Sequence, residues 1–80
     1  MAVTLARLAV VLHGRGENTE ALRYSEQALT IQERRLPPTH PAIADTLELQ
    51  VSVLRALREP ERASAAEAKG RAIRAQQHGK

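Results

Sequence analysis

Residues 4–31 read TLARLAVVLHGRGENTEALRYSEQALTI, and residues 46–73 read TLELQVSVLRALREPERASAAEAKGRAI. Aligned without a gap at an offset of 42 positions, they share Thr4-Leu5 with Thr46-Leu47, Val11-Leu12 with Val53-Leu54, Glu17 with Glu59, Ala21 with Ala63 and Ile31 with Ile73. Seven identities in 28 positions are modest for a chain rich in Ala, Leu and Arg, so their placement carries the argument. They are apolar at helical spacing in the first half of each copy, small where two helices would cross, and apolar again near the end. A period of this length marks stacked supersecondary units, none of which can bury its apolar face alone.

In the first copy Leu5, Leu8, Ala9 and Leu12 follow i, i+3, i+4, i+7 and form one helical stripe, widened by Val3, Val10 and Val11. Gly14 and Gly16 supply permissive backbone for a turn between helices, and Asn18, followed by Thr19 and Glu20, suits the N-cap of a second helix. That helix presents Ala21, Tyr24, Ala28 and Ile31, with Leu22 and Leu29 beside them, and stops near Arg35. The reason is Leu36-Pro37-Pro38, which disfavours helical dihedrals before each proline and removes two backbone donors.

Pro41 opens a third helix, where its missing N–H costs nothing, with His40 or Thr39 just outside. Ile43, Leu47, Val51 and Leu54 make the buried stripe of this helix. Leu49, Val53 and Leu57 form a second apolar line, so it has neighbours on two sides. Arg58-Glu59-Pro60 resets the chain, and a fourth helix runs from about 60 to 76 with a narrow stripe of Ala63, Ala66, Gly70 and Ile73. Glu67, Lys69, Arg71 and Arg74 crowd around that stripe, the thin amphipathy of a terminal unit that closes a stack. His78-Gly79-Lys80 is expected to fray.

Composition sets bounds on this picture. Eighty residues allow one small domain that buries only about 60% of its unfolded surface. With 14 alanines and Tyr24 as the single aromatic residue, the core is Leu, Val and Ile around close Ala-mediated contacts. The absence of cysteine excludes disulfides, thiolate zinc sites and thiol nucleophiles, and is compatible with a reducing compartment. The run Met1 to Leu12 contains Arg7 and falls far short of the roughly 20 residues a membrane span needs, so a soluble, cytoplasmic protein without membrane contact is expected. The net charge of +3 is uneven: residues 1–54 carry five Lys/Arg against six Asp/Glu, residues 55–80 seven against three. A basic end can meet nucleic acid or an acidic surface, although a solvated terminal helix accounts for it more simply.

Catalytic and metal-binding constellations are lacking. His13, His40 and His78 have no partner at the i+3 or i+4 spacing of a helical metal site. Gly14-Arg15-Gly16 has neither the preceding strand nor the longer glycine pattern of a phosphate loop. Asp45 and Glu48 are near one another on one helix, but no pocket is built to shift either for acid–base work. Ser25, Ser52 and Ser64 lie outside any nucleophile-elbow pattern. The expectation is a non-enzyme with no cofactor and no metal.

Paired antiparallel helices, small residues at crossings and the joint Leu36-Pro37-Pro38-Thr39-His40-Pro41 resemble the tetratricopeptide repeat, and more narrowly its 42-residue form found in kinesin light chains and many bacterial proteins. The family's usual period is about 34. In the longer form the second helix is extended and the joint reads roughly Leu-Gly-Pro-Asp-His-Pro, which Leu36, Pro38, His40 and Pro41 match in place. Leu5, Leu8, Ala9, Leu12, Gly16, Ala21, Ala28, Leu29 and Ile31 match the first unit, and Leu47, Val51, Leu54, Ala63 and Ile73 the second. Departures are Asn18 and Ser25 at positions usually aromatic, and Gln50, Arg58, Glu67 and Arg71 where Leu, Gly, an aromatic and Leu are usual. On this pattern the first copy is a fair packing unit and the second a worn one.

The resemblance implies an all-α chain: two tetratricopeptide-like helix-turn-helix units, four antiparallel helices in all, forming a short right-handed α-solenoid. Residues 1–80 would be a single domain, with unit 1 at about 2–35, a joint at 36–40 and unit 2 at about 41–77. It implies a protein–protein interaction scaffold whose first helices line a concave groove for a partner peptide or helix, acidic in part. Arg7, Val10, His13, Glu48, Ser52 and Arg55 would project there, Arg7 and Arg55 making charge-assisted contacts. The asparagine pair that many members place after Thr-Leu to hold a peptide backbone is replaced by Ala6-Arg7 and Glu48-Leu49. A second expectation is self-association, or membership of a longer repeat array, through apolar ends near Val3, Val10, Leu49 and Leu57. A third, nucleic-acid contact through the basic fourth helix, would rest on phosphate alone, for that region has no aromatic residue to stack on a base.

Overall fold

The computed structural model describes residues 2–78, with side chains for residues 4–76. Four helices follow one another: α1 (Ala2–Gly14), α2 (Asn18–Arg35), α3 (Pro41–Ala56) and α4 (Pro60–His78). No strand occurs among the described residues. α4 ends at His78; of the three terminal residues expected to fray, Gly79 and Lys80, like the Val3 side chain, lie outside what is described.

The repeat is reproduced bond for bond at the two turns. After α1, Glu17 N–H donates to Leu12 C=O at 2.9 Å and Gly16 N–H to His13 C=O at 3.0 Å. After α3, Glu59 N–H donates to Leu54 C=O at 2.9 Å and Arg58 N–H to Arg55 C=O at 3.0 Å. Both are Schellman closures, which require a left-handed residue after the helix. Gly16 fills that position with φ 80°, and in the second copy Arg58 takes it with φ 61°. The carbonyls of Glu17 and Glu59 then accept from Ala21 and Ala63, each at 3.0 Å, to start the next helix.

One capping expectation is corrected. Glu17, not Asn18, is the N-cap of α2, and its side chain makes no capping bond. Asn18 is already helical, and its Oδ1 lies 2.6 Å from His13 Nδ1, tying the start of α2 to the end of α1. At the joint the sequence reading holds. Leu36 is extended, as a residue before proline must be, and His40 caps α3 by accepting from Ala42 N–H at its Nδ1, 3.0 Å away.

α3 packs against all three other helices, whereas the backbones of α2 and α4 make no close approach to each other. Ile43, Leu47, Val51 and Leu54 meet Ala63 and Ala66 of α4, with Leu22, Leu29, Leu36 and Ile73 closing over them. The second apolar line of α3 is buried only at Val53, Leu49 and Leu57 being half-buried. Here the expectation about the two copies reverses. The supposedly worn copy supplies most of the core, because its first helix lies between two neighbours, while α1 leaves Leu8, Val10 and Val11 exposed.

Polar residues share this interior. On α2 the buried positions are Ala21, Ser25, Ala28 and Gln32, a stripe rotated from the apolar one read in the sequence. Ser25 Oγ donates to Leu22 C=O at 2.8 Å, and Thr46 Oγ1 donates to Gln32 Oε1 at 2.7 Å. The latter is a buried side-chain bond joining the two units. Both groups are satisfied, so neither incurs the penalty of a buried unpaired polar atom.

Candidate partner-binding surface

The six residues singled out in the sequence lie on α1 and α3, and the structure treats them unequally. Arg7 is exposed and has no ion-pair partner among the described residues. Val10 is 55% exposed, and His13 is half-buried against Asn18. On α3, Ser52 is exposed. Glu48 is engaged by Arg74, whose Nε and Nη2 reach its two oxygens at 3.1 and 3.2 Å. Arg55 reaches both oxygens of Glu67 at 3.5 Å, a distance at which the guanidinium is held only loosely.

Sequence reasoning missed the ionic network in which two of these residues take part. Arg74 of α4 reaches across to α3 and forks between two of its carboxylates, donating to Glu48 and, at 2.6 Å, to Asp45. Its guanidinium pKa is consequently held above its ordinary value, by the bonds it donates to Glu48 first and Asp45 second. Glu67 accepts from Arg71 one turn on at 3.1 Å as well as from Arg55. Signals for this lay in the sequence: Asp45 and Glu48 stand three apart on one helix, Arg71 and Arg74 three apart on the next. What it could not supply was the register that brings them face to face.

Between the two clusters is a cleft of about 180 Å³, with Val51, Ala66 and Gly70 at its floor and Glu48, Glu67, Arg71 and Arg74 around it. A second furrow lies between α2 and α4, lined on α3 by Ile43, Leu47, Gln50 and Leu54. Arg62 spans it at one end, donating to Glu26 at 3.0 Å. Neither feature holds a nucleophile beside a base. Among the described residues no group of three or more His, Asp or Glu side chains is placed to hold a metal ion. No described helix is long and apolar enough to cross a membrane.

A family model described as tetratricopeptide repeat matches residues 1–76, nearly the whole chain. Neither the curated proteins nor the solved structures provide a match.

Proposed function

The chain belongs to the tetratricopeptide repeat family, a family of non-enzymatic repeat scaffolds that generally bind proteins, and from that premise we propose that its α1/α3 layer receives a partner peptide or helix carrying acidic residues. The observation that carries this reading is the exposed line on α1. Arg7 lacks an ion-pair partner there, and Val10 leaves more than half its surface in water. On α3, Ser52 and the loosely held Arg55 extend the line, with Glu48 fixing Arg74 at the rim. Curvature supports the same side. The backbones of α1 and α3 come close while α2 and α4 meet only through the Arg62–Glu26 pair, a spacing that bends a two-layer stack inward on its α1/α3 face.

The 42-residue class is part of this reading, resting on the joint from Leu36 to Pro41 and on turns that repeat at that offset. So are a single domain over residues 1–80, divided at 36–40, and a cytoplasmic location. The test is to immobilise the chain against a panel of acidic extended and helical peptides. Retained peptides should bind roughly tenfold more weakly to Arg7→Ala plus Arg55→Ala, as the loss of two charge-assisted contacts predicts. A peptide that binds this double variant undiminished, or whose footprint falls on α2 and α4, would remove the assignment.

A further inference from the structure

Glu26 and Glu33 stand seven residues apart on α2, and Arg62 and Lys69 seven apart on α4, a spacing of about two turns that keeps each pair on one face of its helix. Across the furrow floored by α3 these residues make two equivalent rungs, each setting an acid of α2 against a base of α4 that follows it by 36 positions. The first rung is closed, Arg62 donating to Glu26 at 3.0 Å. The second is open: Glu33 and Lys69, both exposed, line one bay and make no ion pair or side-chain hydrogen bond among the described residues. That bay has a volume of about 370 Å³ and an apolar lining of Pro38, Ile43, Leu47 and Ile73. Its walls and floor all belong to this chain, so it is not the bare outer side of a terminal helix. We infer that the bay is a second peptide-binding site, separate from the α1/α3 face, for an extended segment in which one large apolar side chain lies between an acidic and a basic residue.

Charge identifies this occupant. A wholly apolar ligand would strip water from Glu33 and Lys69 and give neither a partner, a cost that offsets the apolar contact. An acidic ligand meets Lys69 but is repelled by Glu33, a basic one the reverse, and a phosphate backbone behaves as the acidic ligand does. A segment carrying both signs satisfies both walls, its acid over α4 and its base over α2. Shape sets the rest. Toward the closed rung the furrow narrows to a cavity of about 170 Å³ beside Arg62, so a ligand helix has no passage along it and a strand-like segment crosses from wall to wall. In such a segment alternate side chains share a face, which places the acid and the base two residues to either side of the apolar anchor. Ile43 and Leu47 at the floor are buried core residues held by Ala63 and Ala66 of α4, so the anchor meets a surface that is already formed.

The probe is a peptide capped at both ends, Asp-Ser-Phe-Ser-Lys, titrated into the full-length, methyl-labelled chain. The methyl groups of Ile43, Leu47 and Ile73 should shift saturably while those of Val10 and Val11 stay in place. Serine in place of the phenylalanine should weaken binding by roughly tenfold or more, as loss of the buried anchor predicts. Wall charge is the sharper test. Lys69→Glu should weaken the probe roughly tenfold and make Lys-Ser-Phe-Ser-Lys the better ligand, whereas Glu33→Lys should favour Asp-Ser-Phe-Ser-Asp. Both side chains are exposed, so these variants should fold, with circular dichroism as the check. The site does not depend on the α1/α3 reading: Arg7→Ala plus Arg55→Ala should leave the probe's affinity unchanged, and the acidic peptides that test that face are repelled here by Glu33. Absence of binding, or ligand preferences that ignore the wall charges, would overturn the inference. So would a double-mutant cycle in thermal unfolding that couples Glu33 to Lys69, since the second rung would then close on itself. A dimer by light scattering that Lys69→Glu makes monomeric would overturn it as well, since a second copy would then be the occupant.

Discussion

Gly70→Ala should stabilise this protein, although it adds a methyl group at a buried helix crossing. Gly70 is in the middle of α4, where glycine costs roughly 0.5–1 kcal/mol relative to alanine through lost backbone entropy. A Cβ at this position would lie 3.7 Å from Leu47 Cβ and 4.0 Å from the Ala44 carbonyl oxygen, both ordinary van der Waals separations. The first copy supplies the control within the chain: the residue at the same offset is Ala28, fully buried where α2 crosses α1. Adding the helical preference to a modest contact gain gives about 1 kcal/mol, which for a domain of this size raises Tm by roughly 4–8 °C. Urea unfolding followed by far-ultraviolet circular dichroism should show a higher midpoint with an unchanged slope. Gly16→Ala should move the opposite way by a similar amount, since φ 80° is a left-handed conformation that disfavours a Cβ by roughly 1–2 kcal/mol. A loss of stability in Gly70→Ala would refute the reasoning, because it would mean that α4 crosses α3 more closely than these separations allow.

Arg58→Gly should also stabilise, by up to about 1 kcal/mol: relief of the left-handed strain at φ 61° outweighs the added freedom of glycine in the unfolded chain. A lowered thermal midpoint would contradict this. Thr46→Val should cost about 1–3 kcal/mol by leaving Gln32 Oε1 buried without its donor, and Gln32→Met added to it should recover most of the loss. A double-mutant cycle with no coupling would show that the bond contributes nothing specific. The identical residues Val53 and Val11 should respond differently to alanine. Val53, fully buried, should lose about 2 kcal/mol and Val11, half in water, less than about 0.5, as read from chemical denaturation.

Local signals made the element boundaries legible. Pro41 and Pro60 start helices because proline is harmless there, Leu36 ends one because prolines follow, and Gly16 closes a turn because its φ is positive. Relative burial of the two copies was not legible, because it depends on neighbours. Gln50 read as polar wear on a degenerate unit, yet it is buried, as Thr46 is, because α3 is flanked by α2 and α4. Leu8 and Val11 read as core, yet are exposed because none of the described helices covers that side of α1. Hydrophobic pattern identifies which face of a helix is suited to contact; it does not say whether a neighbour is present. The site was legible to a similar degree. Position along the repeat selected Arg7, Val10 and Ser52 as exposed, but only the helix register revealed that Glu48 is engaged by Arg74 and His13 by Asn18.

The same register changes the meaning of the basic end. In sequence the last third carries the charge excess, which favours an anionic polymer as partner. In the fold Arg62 faces Glu26 and Glu59, Arg71 faces Glu67, and Arg74 faces Asp45 and Glu48. Three of these carboxylates, Glu26, Asp45 and Glu48, belong to helices earlier in the chain, so the acids of the first two thirds offset the cations of the last. A phosphate backbone would have to displace them, gaining only the difference between two ionic contacts, while releasing fewer counterions than free arginines would. The opposite end presents the reverse condition: apolar surface in water beside Arg7, which makes no ion pair among the described residues. Covering it removes leucine and valine surface from solvent with no internal bond to break first. The gain on association therefore lies at the α1 end, where apolar surface beside an unpaired cation favours an acidic protein segment over a nucleic acid as ligand.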